Sequence, residues 1–124
     1  MKRHRHLALL VFGMVLVAGC SGDDNGGGTV TPNSTITIVT GAFNKGPMAF
    51  SPPSDTVHVG DVVRMQNGDN STNHSIQPDA GAFPSWGSLP GGTGSNVTAT
   101  AAGTYGYHCV VSGHTMTGTL VVVP

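Results

Sequence analysis

The sequence contains no glutamate, and six aspartates make up its whole acidic complement. Charged residues of both signs reach only 9% of the 124 residues. Three of the five basic residues, Lys2, Arg3 and Arg5, sit at the extreme N-terminus, and the formal charge is −1. That balance excludes a nucleic-acid binder working through a basic surface. With two cysteines, Cys20 and Cys109, a dense disulfide scaffold is excluded as well. Sustained helical spacing is also missing after the first twenty residues. What is abundant is glycine (19) and proline (8), beside 38% hydrophobic residues. This is the composition of one turn-rich β domain.

The chain opens with a positive end followed by an apolar run from Leu7 to Ala18. That run is too short to cross a bilayer as a helix and has the length of a signal-peptide core. It closes on Val17-Ala18-Gly19-Cys20, which resembles the bacterial lipobox. The resemblance implies that residues 1–19 are a signal peptide, cut before Cys20, and that the Cys20 thiol carries lipid. Such a chain would be anchored in the cell envelope, on the periplasmic or extracellular side of a membrane, without a transmembrane helix. Lys45 and Arg64 would then face six aspartates, a net charge of −4.

Residues 20–33 are rich in glycine and lack hydrophobic periodicity, so they read as a flexible tether. The folded domain is expected over 34–124. Ile36 and Ile38 alternate with threonines; Thr56–Val59, Val62–Asn67, His74–Gln77, Asn96–Thr100, Thr104–Cys109 and Thr117–Val123 read as further strands. Seven to eight short strands predict an all-β, antiparallel Greek-key sandwich.

If Cys20 is lipidated, Cys109 is left without a partner in an oxidising compartment, where such a thiol is paired between chains, reactive, or a metal ligand. Its neighbours favour the last. Cys109, His114 and Met116 fall within eight residues, and a thiolate, an imidazole and a thioether form a soft ligand set suited to copper. His74 upstream supplies a second imidazole. These residues, with Val59-Gly60-Asp61-Val62-Val63 and Asn67, resemble the cupredoxin family of blue copper proteins over about Phe50 to Val123.

The resemblance implies one type 1 copper ion held by His74, Cys109 and His114, with Met116 as a weak axial ligand. Cupredoxin ligand loops commonly read C-x2-H-x2-M, C-x2-H-x4-M or C-x4-H-x3-M; here the loop is C-x4-H-x-M. The Cys-to-Met span lies between the short and middle forms, and the position of the histidine is what departs. His114 and Met116 would share one side of an extended segment. His108, adjacent to Cys109 on a strand, should point away from the metal, and His58 should face solvent. His4 and His6 would leave with the signal. Ser75 is placed to tie the two ligand loops together, and Tyr105 and Tyr107 to pack behind the metal. Phe83 and Trp86 either line an apolar surface or cap the sandwich.

The function expected on this resemblance is electron transfer, by a monomer shuttling single electrons between redox partners such as a cytochrome and a terminal oxidase or reductase. His114 would be the exit route. Storage or delivery of copper is the alternative. An enzyme is disfavoured: a His2Cys zinc site with water would need a base, and no carboxylate lies beside the ligands in sequence.

Overall fold

The computed structural model describes residues 29–80 and 83–124. The expected signal segment 1–19, Cys20 and most of the 20–33 tether lie outside them.

Alternation of apolar and polar residues sets which side of each strand is buried. β1 (Ser34–Ile38) turns Ile36 and Ile38 inward, and β4 (Val62–Asn67) turns Val63, Met65 and Asn67 inward. With the two-residue β2 (Phe50–Ser51) and with β7 (Gly94–Thr98) they form a four-stranded sheet, ordered β2-β1-β4-β7. The second sheet is built from β3 (Ser54–His58), β5 (His74–Pro78), β6 (Gly87–Leu89), β8 (Gly103–Cys109) and β9 (Thr117–Val123). Its order is β3-β9-β8-β5-β6. Val57, Ile76, Leu89, Tyr107, Leu120 and Val122 meet the first sheet's inward residues in one core.

The sandwich is mixed, where an antiparallel one was expected. β1 runs parallel to β4, and β3 parallel to β9. The chain leaves β1, passes through β2 and then β3 in the other sheet, and returns as β4 in the original direction. Crossing between sheets supplies the long connection that parallel neighbours require. Strand content and burial pattern give no sign of that choice.

The segment around Phe83 and Trp86 caps the sandwich. Both rings are buried, and Trp86 Nε1 donates to Val63 O in the opposite sheet at 3.2 Å. Trp86 meets Tyr107 edge-on at 5.3 Å, and Phe50 meets the same ring at 5.0 Å from another side. Gly118 is the cross-strand partner of Tyr107 and lies against its ring. The Tyr107 hydroxyl is buried without a hydrogen-bond partner, and burial, followed by the charge of Asp55, pushes its pKa well above the usual phenol value. Tyr105 is half-buried, packs on Phe83, and donates its hydroxyl to Ala101 O at 2.9 Å. Both tyrosines lie on β8 with Cys109: Tyr107 is in the core, as expected, while Tyr105 is only partly buried and packs against the core's edge.

Candidate metal centre

Two strands and one loop bring three ligand-type side chains to the same end of the sandwich. β5 begins at His74, and β8 ends at Cys109. Because these strands pair antiparallel, with Ile76 opposite Cys109, the start of one lies beside the end of the other. The connection is reinforced by backbone atoms of Ser75: its N–H donates to Cys109 Sγ at 3.5 Å, and its carbonyl accepts from Val110 N at 2.9 Å. Ser75 thus ties the ligand segments together, as expected, through its main chain.

His114 comes from the loop between β8 and β9. A turn at Ser112–Gly113, in which His114 N donates to Val111 O at 3.1 Å, folds the loop back. Gly113 has φ +81°, a left-handed conformation that suits glycine. Thr115 N then bonds to Phe43 O at 2.8 Å, and the Phe43 ring lies 6.1 Å from that of His114. This contact holds the loop against the two short 3-10 turns at Ala42–Asn44 and Gly46–Ala49. Cys109 N donates to Met116 O at 3.2 Å, which closes the loop at its base.

The donor atoms converge. His74 Nδ1 and His114 Nδ1 are 3.2 Å apart, Cys109 Sγ is 3.4 Å from His114 Nδ1, and it is 3.9 Å from His74 Nδ1. A point equidistant from three atoms so spaced lies about 2 Å from each, close to the length of metal–imidazole and metal–thiolate bonds. These residues are the one group of three or more His, Cys, Asp or Glu side chains placed for a metal ion among the described residues. His74 and Cys109 are buried, 1% and 4% exposed, whereas His114 is partly open to solvent. Cys109 is also an unpaired thiol.

Met116 is buried in the core beside this cluster, with exposed Thr115 separating it from His114. The remaining described histidines are elsewhere. His108 turns to the outer face of β8 and pairs with Asp79, and His58 is exposed near Asp61. His4, His6 and Cys20 lie outside the described residues.

Electrostatics favours a neutral His74. Burial, then the neighbouring His114, hold its pKa below the ordinary 6.5, with Asp69 acting in the opposite sense. Asp69 is itself buried, and burial alone would raise its pKa. Hydrogen bonds from Ser71 Oγ at 2.9 Å and Gly41 N at 3.0 Å outweigh that, so its pKa is lowered and it stays an anion. Asn67 organises the same loop: its Nδ2 donates to Thr72 O and Leu89 O, and its Oδ1 accepts from Asp69 N. The sequence signalled Asn67 through the family resemblance but gave no hint of Asp69 or Phe43. An aspartate in the stretch Gly68-Asp69-Asn70-Ser71 reads as a solvated turn, and its burial depends on β1 arriving alongside through Gly68 N to Ile38 O at 2.9 Å.

A two-sheet β-sandwich with a His2Cys cluster at one end, a buried methionine at the base of the same loop and one of the two histidines partly open to solvent defines a cupredoxin-type architecture. No family model and no curated protein matches the chain. Solved structures do. A novel purple cupredoxin from Nitrosopumilus maritimus is 23% identical, covering 73% of this chain and 100% of its own at a TM-score of 0.63. The reduced Cu(I) form of an amicyanin variant is 26% identical, over 77% of this chain and 87% of its own, with a TM-score of 0.56. Auracyanin A, a "blue" copper protein from Chloroflexus aurantiacus, is 23% identical over 75% of this chain and 100% of its own, at 0.58. The chain has the cupredoxin fold.

Proposed function

We propose that this protein binds one copper ion through His74 Nδ1, Cys109 Sγ and His114 Nδ1, with Met116 as a weak axial ligand, and works as a one-electron carrier. The observation that carries the reading is the convergence of the three donor atoms at bonding distance from a common point. A thiolate with two imidazoles and a thioether is the ligand set of blue copper sites. Copper bound there supplies a Cu(II)/Cu(I) couple.

The chain's own residues provide the rest. Strand pairing at Ile76–Cys109 and the Ser75 bonds hold His74 and Cys109 in place, which limits rearrangement between oxidation states. Burial of both side chains keeps water from these two ligands. His114 is the half-exposed member, with Phe43 (44% exposed) beside it, so its ring edge is the route by which an electron leaves toward a docked redox partner. A buried, pinned ligand pair suits a carrier better than the copper storage or delivery alternative, which needs a labile site. No catalytic step is assigned to the chain.

The lipobox-like Val17–Cys20 supports tethering through lipid on Cys20 at the cell envelope, with a cytochrome and an oxidase or reductase as the class of partner. The decisive experiment is copper loading of the Cys109→Ser variant beside His58→Ala. An intense visible thiolate-to-Cu(II) band is expected in the wild type and in His58→Ala, and none in Cys109→Ser. A band that survives without Cys109 overturns the ligand assignment.

A further inference from the structure

One buried group beside the metal centre is left without a partner. His74 Nε2 is buried and has no hydrogen-bond partner. Asp69 Oδ2 lies 3.7 Å from it, with both side chains at 1% exposure or less. That separation is beyond hydrogen-bond length, but the carboxylate is a buried anion held in place by hydrogen bonds from Ser71 and Gly41, and a charge so close to the ring in a buried site is little screened. An N–H at Nε2 would turn its positive end toward that anion across the gap.

We infer that Asp69 is the positioning residue for His74: its carboxylate keeps the ring proton on Nε2 and leaves the Nδ1 lone pair free for the metal. The inference rests on the copper reading above and deepens it. The choice of tautomer matters because Nδ1 lies 3.2 Å from His114 Nδ1, so a proton on Nδ1 has a competing acceptor there. A proton shared in that way would occupy the position of the ion. Metal-bound imidazoles are commonly oriented through the far nitrogen, and loss of the partner lowers metal affinity by about 10- to 100-fold. A fixed negative charge at this distance also favours Cu(II) over Cu(I).

The test uses Asp69→Asn, Asp69→Ala and Thr93→Ala in the folded protein. Asparagine retains an acceptor oxygen and loses the charge; alanine loses both. Thr93→Ala removes the Thr93 Oγ1 bond to Pro90 O, in the segment that pairs with Asn67, without touching Asp69 or His74, and serves as the structural control. Nitrogen NMR of the His74 ring in the metal-free protein at neutral pH should give the Nε2–H tautomer in wild type, Asp69→Asn and Thr93→Ala, and a shift toward Nδ1–H in Asp69→Ala. With copper bound, Asp69→Asn should shift the Cu(II)-to-Cu(I) affinity ratio about tenfold toward Cu(I), a rise of about 59 mV in potential, while Thr93→Ala stays near wild type. Retention of the Nε2–H tautomer in Asp69→Ala, or an unchanged potential in Asp69→Asn, overturns the inference. Should alanine prevent folding, the asparagine potential alone decides it. Failure of the wild type to take up copper overturns the copper reading, and the metal-free NMR arm still decides whether Asp69 governs the His74 proton.

Discussion

Replacing Gly118 by alanine should destabilise the domain through a single collision. Tyr107 stands opposite Gly118 in the β8–β9 ladder. A Cβ at position 118 would lie 2.4 Å from the Tyr107 Cε2 and Cζ atoms and 2.5 Å from its hydroxyl, against an ordinary carbon–carbon separation of about 3.5–4.0 Å. The ring has nowhere to go, since Phe50 and Trp86 pack edge-on against it at 5.0 and 5.3 Å. Overpacking of this kind costs about 1–3 kcal/mol. Gly118 is not among the glycines with positive φ, so alanine there also removes unfolded-state freedom, a gain of about 0.4–1 kcal/mol. The expected net loss is about 1–2 kcal/mol, and each kcal/mol lowers Tm by about 4–8 °C in a domain of this size. Thermal and urea denaturation of the metal-free protein measure it directly. Repeating the substitution in a Tyr107→Leu background isolates the contact, because the penalty should shrink or reverse once the ring is gone. A Gly118→Ala variant as stable as wild type, or equally penalised in both backgrounds, refutes the reasoning. The collision also lies two residues from Cys109 on the same strand, so a displaced ring should alter the visible band of the copper-loaded protein.

Met116→Leu conserves core volume and should cost less than about 1.5 kcal/mol. If the sulfur is the axial ligand, the copper-loaded variant keeps its colour while its reduction potential rises; an unchanged potential in cyclic voltammetry marks Met116 as a core residue alone. The metal-free protein should lose stability in acid, in two stages. The His74 pKa is held below the ordinary 6.5 by burial and His114, so the unfolded chain takes up that proton first and stability falls as pH drops below about 6.5. The lowered pKa of Asp69 gives stability that is present above about pH 3.9, its unfolded value, and is lost as pH falls through its folded one. Urea midpoints between about pH 7.5 and about pH 5 should therefore fall in wild type and be flatter in His74→Gln.

Much of the fold was legible because β-branched alternation is a local signal. Val62–Asn67 and Thr117–Val123 form strands over the residues expected, and the others differ by one or two positions at their ends. Phe50–Ser51 and Gly87–Leu89 escaped notice because two or three residues carry no periodicity. Parallel pairing of β1 with β4 escaped for a different reason: it depends on which sheet the chain visits in between. At the site, Cys109, His114 and His74 were legible through chemistry and spacing. Asp69 was not, since its role comes from burial by a strand some thirty residues earlier in the chain.

The uncommon ligand spacing has a structural explanation in the hairpin that carries it. β8 and β9 are in register to His108 opposite Thr117, and the Cys109 N–H to Met116 carbonyl bond adds one further link. The ends of the loop are therefore pinned by the ladder, and the span from Cys109 to Met116 is the constrained length. Nothing in that constraint fixes where the histidine falls between them. Here the turn at Ser112–Gly113 takes up the extra residues and brings the chain back, and the Thr115 bond to Phe43 holds the returning segment, so that His114 Nδ1 ends 3.4 Å from the Cys109 sulfur. The same bonds that make C-x4-H-x-M workable leave His114 as the ligand nearest solvent, and so join the loop's length to the proposed exit of the electron.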